Sequence, residues 1–345
     1  MHARPCQAPD GGFKPEPAAP HRRFYQIAGI TLQVESPLPI LTTTFSAKFA
    51  LFEVDGPGPD TVVLRHHFGL PGPGTGTDPA ASRDAGAEVV AGSAGCDQPA
   101  GGAETGRREV YRKAPWAVYR QGGTWVYEGF TGEGAEAALH AVAVFDDDHT
   151  VGDLYSPAHV ADWWRAGGLG SLTLMPSDQI VLARLFADRE ACLLHSAGVV
   201  VDGHGLVFVG HSDAGKSTTV ELLRRGLGAR LEILCDDRTV ARRWPECFRV
   251  HGTWSHGDVP DVSPAGAPLR AILFLEQAAE NELLPLEDRR EAWRRLLATR
   301  VKPLETADWW HTEMDVLECL IAEVPCYTMR FDRGGGIVRE LERLL

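Results

Sequence analysis

A glycine-rich loop between two apolar segments constrains the fold of this chain more than any other feature. Residues 206–209 are apolar and strand-forming, and residues 219–223 are typical of a helix. The loop between them fits the pattern G-x-x-x-x-G-K-[ST], whose backbone N–H groups and following helix N-terminus surround phosphate oxygens. The loop residues predicted to bind the nucleotide are Gly210, His211, Ser212, Asp213, Ala214, Gly215, Lys216, Ser217 and Thr218.

Two side chains at the end of this loop carry the expected chemistry. The Lys216 ammonium can reach the terminal phosphates, and the Ser217 hydroxyl can hold Mg²⁺. A glycine-containing turn that fits the pattern by chance is the alternative, but the strand and the helix on either side argue against it. We therefore predict a nucleotide site.

Length and charge limit the other classes of function. The chain has 345 residues, of which 44% are hydrophobic, so two domains, or one large domain with an appendage, are expected. Its net charge is -13 and its pI is about 5.5. A nucleic-acid groove requires clustered Lys and Arg, so no nucleic-acid partner is expected.

Cysteine usage and hydropathy indicate the compartment. Seven cysteines are scattered without a C-x-x-C pair, and their odd number fits free thiols in a reducing compartment. No stretch approaches the roughly 18 apolar residues that a membrane helix needs. We therefore expect a cytoplasmic protein with no membrane partner.

The chain divides by composition into three parts. Residues 1–23, rich in Pro, Gly and Ala, are predicted to be a disordered N-terminus, and residues 24–150 a β-rich module. Within that module, residues 68–108 contain few large apolar side chains and are predicted to be a disordered insertion. Residues 151–345 are predicted to form an α/β nucleotide-binding domain with a mixed sheet.

Several local elements can be placed from periodicity and turn signals. Residues 117–127 predict a hairpin and residues 139–145 a strand. Residues 178–187 predict a helix capped by Ser177 or Asp178. Before and after the glycine-rich loop, short strands are expected at 192–194, 198–201 and 231–234.

Asp236 and Asp237 follow the last of these strands and are candidates for chemistry. Ligands bind at the carboxyl ends of strands in open α/β sheets, and two carboxylates there can supply a metal partner and a base. A solvated Asp-Asp turn is the alternative, and the phosphate loop argues against it. His195, expected just after a strand, is by itself more typical of a structural histidine.

Taken together, these residues resemble the catalytic core of the HPr kinase/phosphorylase family. The resemblance covers roughly residues 190–240 and is carried by residues 194–197, 210–218, 225–226 and 234–238. It implies an α/β fold with a P-loop-containing nucleotide-binding domain like that of HPr kinase and ATP-type phosphoenolpyruvate carboxykinases, joined here to the β-rich N-terminal module. It also implies ATP and Mg²⁺ as cofactors, transfer of phosphate to a protein serine, and a possible homo-oligomer.

Carried over by position, the resemblance assigns a role to each site residue. It implies that Asp236 is the catalytic base, that His195 supports Asp236, and that Lys216 acts on the phosphates. It places Ser217 and Asp237 at the metal. Asp213 and Thr218 depart from the family's loop, and the glycine-rich signature after the Asp pair is missing, so HPr itself is not the expected substrate.

The sequence after the Asp pair indicates which class of molecule accepts the phosphate. Residues 251–258 and 267–276 look like those of HPr-kinase-related proteins that accompany peptide-modification genes, including lasso-peptide kinases. The first of these stretches is either a substrate rim or a surface loop anchored by Trp254. The expected function is a serine kinase acting on a peptide or small protein. The alternatives are a kinase for a small hydroxylated metabolite and a non-catalytic ATP-binding accessory protein.

Replacing Lys216 tests the nucleotide site. Lys216→Ala removes the only side-chain cation of the loop motif, so affinity for Mg-ATP should fall by roughly tenfold or more, as measured by calorimetry. Arg225→Ala, at the far end of the following helix, is the control and should bind as the unmodified protein does. Equal affinity in the Lys216 variant would contradict the predicted site.

Overall fold

The computed structural model describes residues 20–71, 106–132, 138–173, 178–301 and 306–345, without the side chain of Ile180. The strands are β1 (His21–Ile27), β2 (Ile30–Ser36), β3 (Glu53–Val54), β4 (Thr61–Phe68), β5 (Arg108–Lys113), β6 (Trp116–Gln121), β7 (Thr124–Thr131), β8 (Ala138–Phe145), β9 (Val151–Ser156), β10 (Ala191–Val201), β11 (His204–Val209), β12 (Leu231–Cys235), β13 (Arg238–Arg243), β14 (Phe248–His251), β15 (Gly266–Gln277), β16 (Glu282–Pro285) and β17 (Cys326–Phe331). The helices are α1 (Val160–Ala166), α2 (Gln179–Ala187), α3 (Lys216–Leu227), α4 (Arg289–Thr299), α5 (Ala307–Glu323) and α6 (Ile337–Glu342).

The N-terminal half forms one nine-stranded sheet. Its strand order is β3-β1-β2-β4-β9-β8-β7-β6-β5, with β4 parallel to both β2 and β9 and the other pairs antiparallel. The predicted hairpin at 117–127 and the predicted strand at 139–145 are both present, as β6–β7 and β8. The β-rich character expected from the sequence is therefore confirmed for the described residues of this half.

The limits of this half differ from those predicted. β1 begins at His21, inside the segment predicted to be disordered, because its first residues pair with the end of β2 and Arg23 bonds Glu53 at 2.5 Å. β9 extends the sheet past the predicted boundary at residue 150, since it pairs with β4 and β8. Residues 1–19 and 72–105, which hold most of the predicted disorder, lie outside the described residues.

The C-terminal half contains a second, mixed sheet that carries the glycine-rich loop. β11, β15 and β17 run parallel, and β10 pairs antiparallel with β11, β12 and β13. The two predicted strands at 192–194 and 198–201 are one continuous strand, β10. Thr239 of β13 packs closely against Gly198 within this strand, because a Cβ at that position would lie 2.5 Å from a methyl group of Thr239.

The two sheets share a hydrophobic core. Side chains of the first sheet pack in one buried cluster with Phe186 of α2, Leu193 of β10, Val240 of β13 and Trp254. Trp254 fills the junction, with its ring centroid 5.1 Å from Phe49 and 5.3 Å from Phe52 in the 3-10 turn after β2. Burial of aromatic side chains is a large stabilising contribution, so this packing fixes the first sheet against the second.

Helix α2 lies where the sequence places it, but its predicted cap is different. The side chain of Asp178 makes no capping bond to the helix; it accepts hydrogen bonds from the amide N–H groups of Leu172 at 3.1 Å and Thr173 at 2.8 Å. It also accepts one from the indole Nε1 of Trp254 at 3.0 Å. The other predicted cap, Ser177, lies outside the described residues.

A pair of glycine substitutions tests the packing of the first sheet. A Cβ added at Gly152 would lie 2.2 Å from Cε1 of the buried Phe145, whereas a Cβ at Gly123 would meet nothing within 4 Å. Gly152→Ala should lower the free energy of unfolding by about 1–3 kcal/mol, as overpacking does. Gly123→Ala is the control and should change it by less than about 0.5 kcal/mol. Equal urea midpoints for the two variants would contradict this packing.

Candidate active site

The glycine-rich loop connects β11 to α3 and curls over the N-terminus of that helix. Two residues have left-handed backbone angles, with φ of +67° at Asp213 and +103° at Gly215. Aspartate tolerates this region better than most residues, while a Cβ at Gly215 would also lie 2.8 Å from the ring of Phe331. The strand, loop and helix predicted from the sequence are therefore present in that order.

Lys216 points back across the mouth of the loop. Its Nζ donates hydrogen bonds to the carbonyl oxygens of Gly210 at 2.9 Å and His211 at 3.1 Å, and lies 3.1 Å from Nε2 of His195. Burial lowers the pKa of this ammonium, although the nearby carboxylates of Asp237 and Asp236 oppose the change. A cation held at the loop mouth in this way can turn toward phosphate oxygens with little movement.

Asp236 is buried and faces the glycine-rich loop. Its Oδ2 accepts hydrogen bonds from the Ser217 hydroxyl at 2.9 Å and the Val259 amide at 2.8 Å, and its Oδ1 accepts one from the Gly257 amide at 2.5 Å. A carboxylate that is 2% exposed requires donors of this kind, because burying an unpaired charge is costly. The bonds also tie the 257–259 segment to the loop.

Asp237 faces the opposite side. Its Oδ1 lies 3.2 Å from Nδ1 of His195, and its Oδ2 accepts hydrogen bonds from the Ser255 hydroxyl at 2.7 Å and from the guanidinium of Arg238. Burial acts to raise the pKa of Asp237, but the hydrogen bond with His195 and the charge of Arg238 outweigh it and lower the pKa to about 2. Asp237 is therefore a carboxylate that stays ionised across the physiological range.

His195 bridges the loop lysine and Asp237. The tautomer that carries its proton on Nδ1 satisfies both contacts, because Nδ1 then donates toward Asp237 and Nε2 accepts from Lys216. His195 also lies within β10, opposite Arg238 of β13, and not after a strand as the sequence suggested. The strand holds the imidazole in place between the two charged groups.

These contacts differ from the pairing that the resemblance implies, and the implied roles of the residues stay predictions. His195 was expected beside Asp236 and is beside Asp237, while Ser217 was expected to share a metal with Asp237 and bonds Asp236. The physical reason is local: Asp236 and Asp237 form the bend between β12 and β13, and the bend turns the two side chains toward different surroundings. The two carboxylates therefore reach different partners although they are neighbours in sequence.

Two clefts lie on the two sides of this arrangement. A cleft of about 410 Å³ at the loop is lined by residues that include Lys216, Ser217, Asp258 and Arg333. A smaller cavity of about 240 Å³ is lined by Asp237 and by residues from both halves of the molecule, among them Lys48 and Leu193. Lys216 thus belongs to the first cleft and Asp237 to the second, and His195 connects them.

The donor set at the loop suits Mg²⁺. The Ser217 hydroxyl and the Asp236 carboxylate place two oxygen atoms 2.9 Å apart beside the loop. Mg²⁺ prefers oxygen ligands and is commonly held by one or two protein groups together with waters and substrate phosphates. Within the described ranges, no group of three His, Cys, Asp or Glu side chains is arranged to hold a metal.

Several residues at the site were not singled out from the sequence. Ser255, Gly257 and Val259 hold the two carboxylates, and Lys48 lines the smaller cavity from the first sheet's side. The loop at 251–258 was a candidate rim for the substrate, and its position over the Asp pair could have been suspected from its glycine and serine content. Nothing in the sequence around Lys48 signals its position.

Comparisons with known proteins give one family. The family described as "SynChlorMet cassette protein ScmC" matches residues 172–345, which is just over half of the chain. The chain belongs to the ScmC family. Among solved structures, an HPr(Ser) kinase/phosphatase from Coxiella burnetii matches with 13% identity and a TM-score of 0.27, covering 44% of this chain and 87% of that one. No curated protein matches.

The ScmC match coincides with one structural half. It begins at Leu172, just before α2, and includes the glycine-rich loop, His195 and both aspartates. The nine-stranded sheet lies outside it. In the described part of the chain, no helix is both long and apolar enough to cross a membrane.

Replacing Asp236 tests its contacts with the 257–259 segment. Asp236→Asn turns one accepting oxygen into an NH₂ group, so the Gly257 or Val259 amide loses its acceptor. We expect hydrogen exchange at that amide to rise about tenfold, measured by mass spectrometry on short peptides. Asp258→Asn, an exposed neighbour, is the control. Unchanged exchange at both amides would contradict the arrangement.

Proposed function

We propose that this protein is a Mg-ATP-dependent kinase that transfers the γ-phosphoryl group to a seryl hydroxyl of a peptide or small protein. The observation that carries the proposal is the connection from Lys216 through His195 to Asp237, which joins the glycine-rich loop to a second cavity. Phosphoryl transfer requires a phosphate site and an acceptor site with the reacting groups held in line between them.

On the donor side, the loop amides and Lys216 would hold the β- and γ-phosphates. Lys216 would exchange its bonds to the loop carbonyls for bonds to phosphate oxygens, where a charge-assisted hydrogen bond is stronger. Ser217 and Asp236 would hold Mg²⁺. When bound, the ion neutralises charge that develops on the phosphoryl oxygens.

On the acceptor side, Asp237 would orient the hydroxyl that attacks. The hydroxyl oxygen forms a bond to the γ-phosphorus, the bond from that phosphorus to the β–γ bridging oxygen breaks, and the hydroxyl proton passes to Asp237 and then to solvent. The low pKa of Asp237 suits orientation of the hydroxyl, since a loose transition state needs little proton transfer until late. His195 would fix the position of Asp237.

This scheme exchanges the roles that the family resemblance implies for the two aspartates. Asp236 takes the metal side because it bonds Ser217, and Asp237 takes the acceptor side because it lines the second cavity. A peptide acceptor fits the likeness of residues 251–258 and 267–276 to those of HPr-kinase-related proteins that accompany peptide-modification genes.

The proposal is tested with γ-labelled ATP, Mg²⁺ and candidate peptides encoded beside the gene, using mass spectrometry to locate the phosphate. Asp237→Asn should lower transfer by at least about 100-fold while ATP affinity stays within about twofold, because a base contributes to the transition state only. Lys216→Ala should lose both phosphate transfer and ATP affinity. Asp55→Asn, which is exposed and lines neither cleft, is the control.

The other functions predict different results. A kinase for a small metabolite would phosphorylate no peptide but would consume ATP when hydroxylated compounds are supplied. An ATP-binding accessory protein would bind ATP and transfer phosphate to nothing, with Asp237→Asn indistinguishable from the unmodified protein. If Asp237→Asn transfers phosphate at the full rate and Asp236→Asn does not, then Asp236 is the base.

A further inference from the structure

The smaller cavity is built by both halves of the molecule. Its floor includes Asp237, Arg238 and Ser255 from the half that the ScmC family covers. Its opposite wall includes Lys48 and Gly170, which lie outside the matched residues. Whatever enters the cavity therefore touches the nine-stranded half as well as the site residues.

The junction that forms this wall is tightly packed. Lys48 precedes Phe49, whose ring packs on Trp254, and the indole of Trp254 is bonded to Asp178 at 3.0 Å. Burial lowers the pKa of Lys48, while Asp178 and Asp237 oppose that effect. The cavity thus has polar walls of mixed charge held in fixed positions, as expected where a hydroxyl and a peptide backbone are to be bound.

A larger apolar pocket lies next to this cavity. Its volume is about 690 Å³, and the residues that line it include Leu139, Val160, Trp163 and Leu169. Trp163 is 57% exposed, one of the few large apolar side chains so exposed among the described residues, and its ring lies 5.1 Å from that of His159. Exposed aromatic surface with a polar neighbour is typical of a binding site.

The cavity and the apolar pocket adjoin at Gly170. Gly170 lines both, and Ser171 follows it into the apolar pocket. The strip before Gly170 is held by backbone bonds from Gly168 N–H to Thr43 at 2.8 Å and from Leu169 N–H to Thr44 at 3.0 Å. An extended chain can therefore pass over Gly170 from one pocket to the other, whereas a small metabolite would fill only the first.

Because the two pockets adjoin, we propose that the acceptor is a peptide, that its serine enters the cavity at Asp237, and that an aromatic or large aliphatic side chain a few residues away occupies the pocket at Trp163. This inference rests on the proposed kinase function. It deepens that function by assigning substrate selection to the nine-stranded half.

The experiment is a degenerate peptide library with a central serine, incubated with Mg²⁺ and γ-labelled ATP. We expect aromatic and large aliphatic residues to be enriched at one position on one side of the serine. For a peptide with Phe at that position, Trp163→Ala should raise KM roughly tenfold with little change in kcat, which corresponds to loss of part of one buried aromatic contact. For the matching Ala peptide, Trp163→Ala should change nothing.

Two controls separate a lost pocket from a damaged protein. Leu284→Ala removes an exposed leucine from β16, which lines neither pocket, and should leave both peptides unaffected. Trp163→Phe keeps an aromatic wall and should recover most of the affinity for the Phe peptide. Thermal unfolding of each variant checks that the fold is intact.

The possible failures are distinguishable. Transfer by the unmodified protein without any apolar preference, or a preference unaltered in Trp163→Ala, overturns the inference and leaves the kinase in place. Absence of transfer to every peptide overturns the proposed function. In that case the inference is tested by binding of the labelled Phe peptide, measured by fluorescence anisotropy. Equal affinity of the peptide for the unmodified protein and for Trp163→Ala refutes the inference.

Discussion

The hydrogen-bonded connection between Lys216, His195 and Asp237 is the interaction on which the candidate site depends. It places a cation that can reach phosphate at one end and an ionised carboxylate at the other, separated by one imidazole. Each charged group is partly buried, so each needs its partner to offset the cost of leaving water. The contacts that offset this cost therefore also fix the geometry of the site.

Burial of Asp236 extends this constraint to the surrounding loops. Its carboxylate is bonded to the glycine-rich loop through Ser217 and to the 257–259 segment through two amides. Two loops that are distant in sequence are thereby held together at the carboxyl end of β12. Such preorganisation lets charges act on a reacting group without rearrangement during the reaction.

The nine-stranded half gives the site its second wall. Trp254 packs against Phe49 and Phe52 and bonds Asp178, so the loop that covers the Asp pair is also the contact between the two halves. A substitution at this contact in one half would therefore alter the geometry of the site in the other half. The ScmC match begins at Leu172, so it includes Trp254 but leaves out Phe49 and Phe52 on the other side of the contact.

The sequence by itself determined the local features of this protein. Periodicity and turn residues over short stretches predict the strand, loop and helix at 204–227, the two aspartates that follow β12, the hairpin β6–β7 and helix α2. Only the tertiary structure decided which aspartate meets Ser217 and which meets His195, and that β10 is continuous. It also decided that Lys48 lines Asp237's cavity and that Trp163 lines the pocket adjoining it at Gly170. The physical reason is that these contacts join residues far apart in the chain, and their geometry depends on how the two sheets pack around Trp254, which no local pattern specifies.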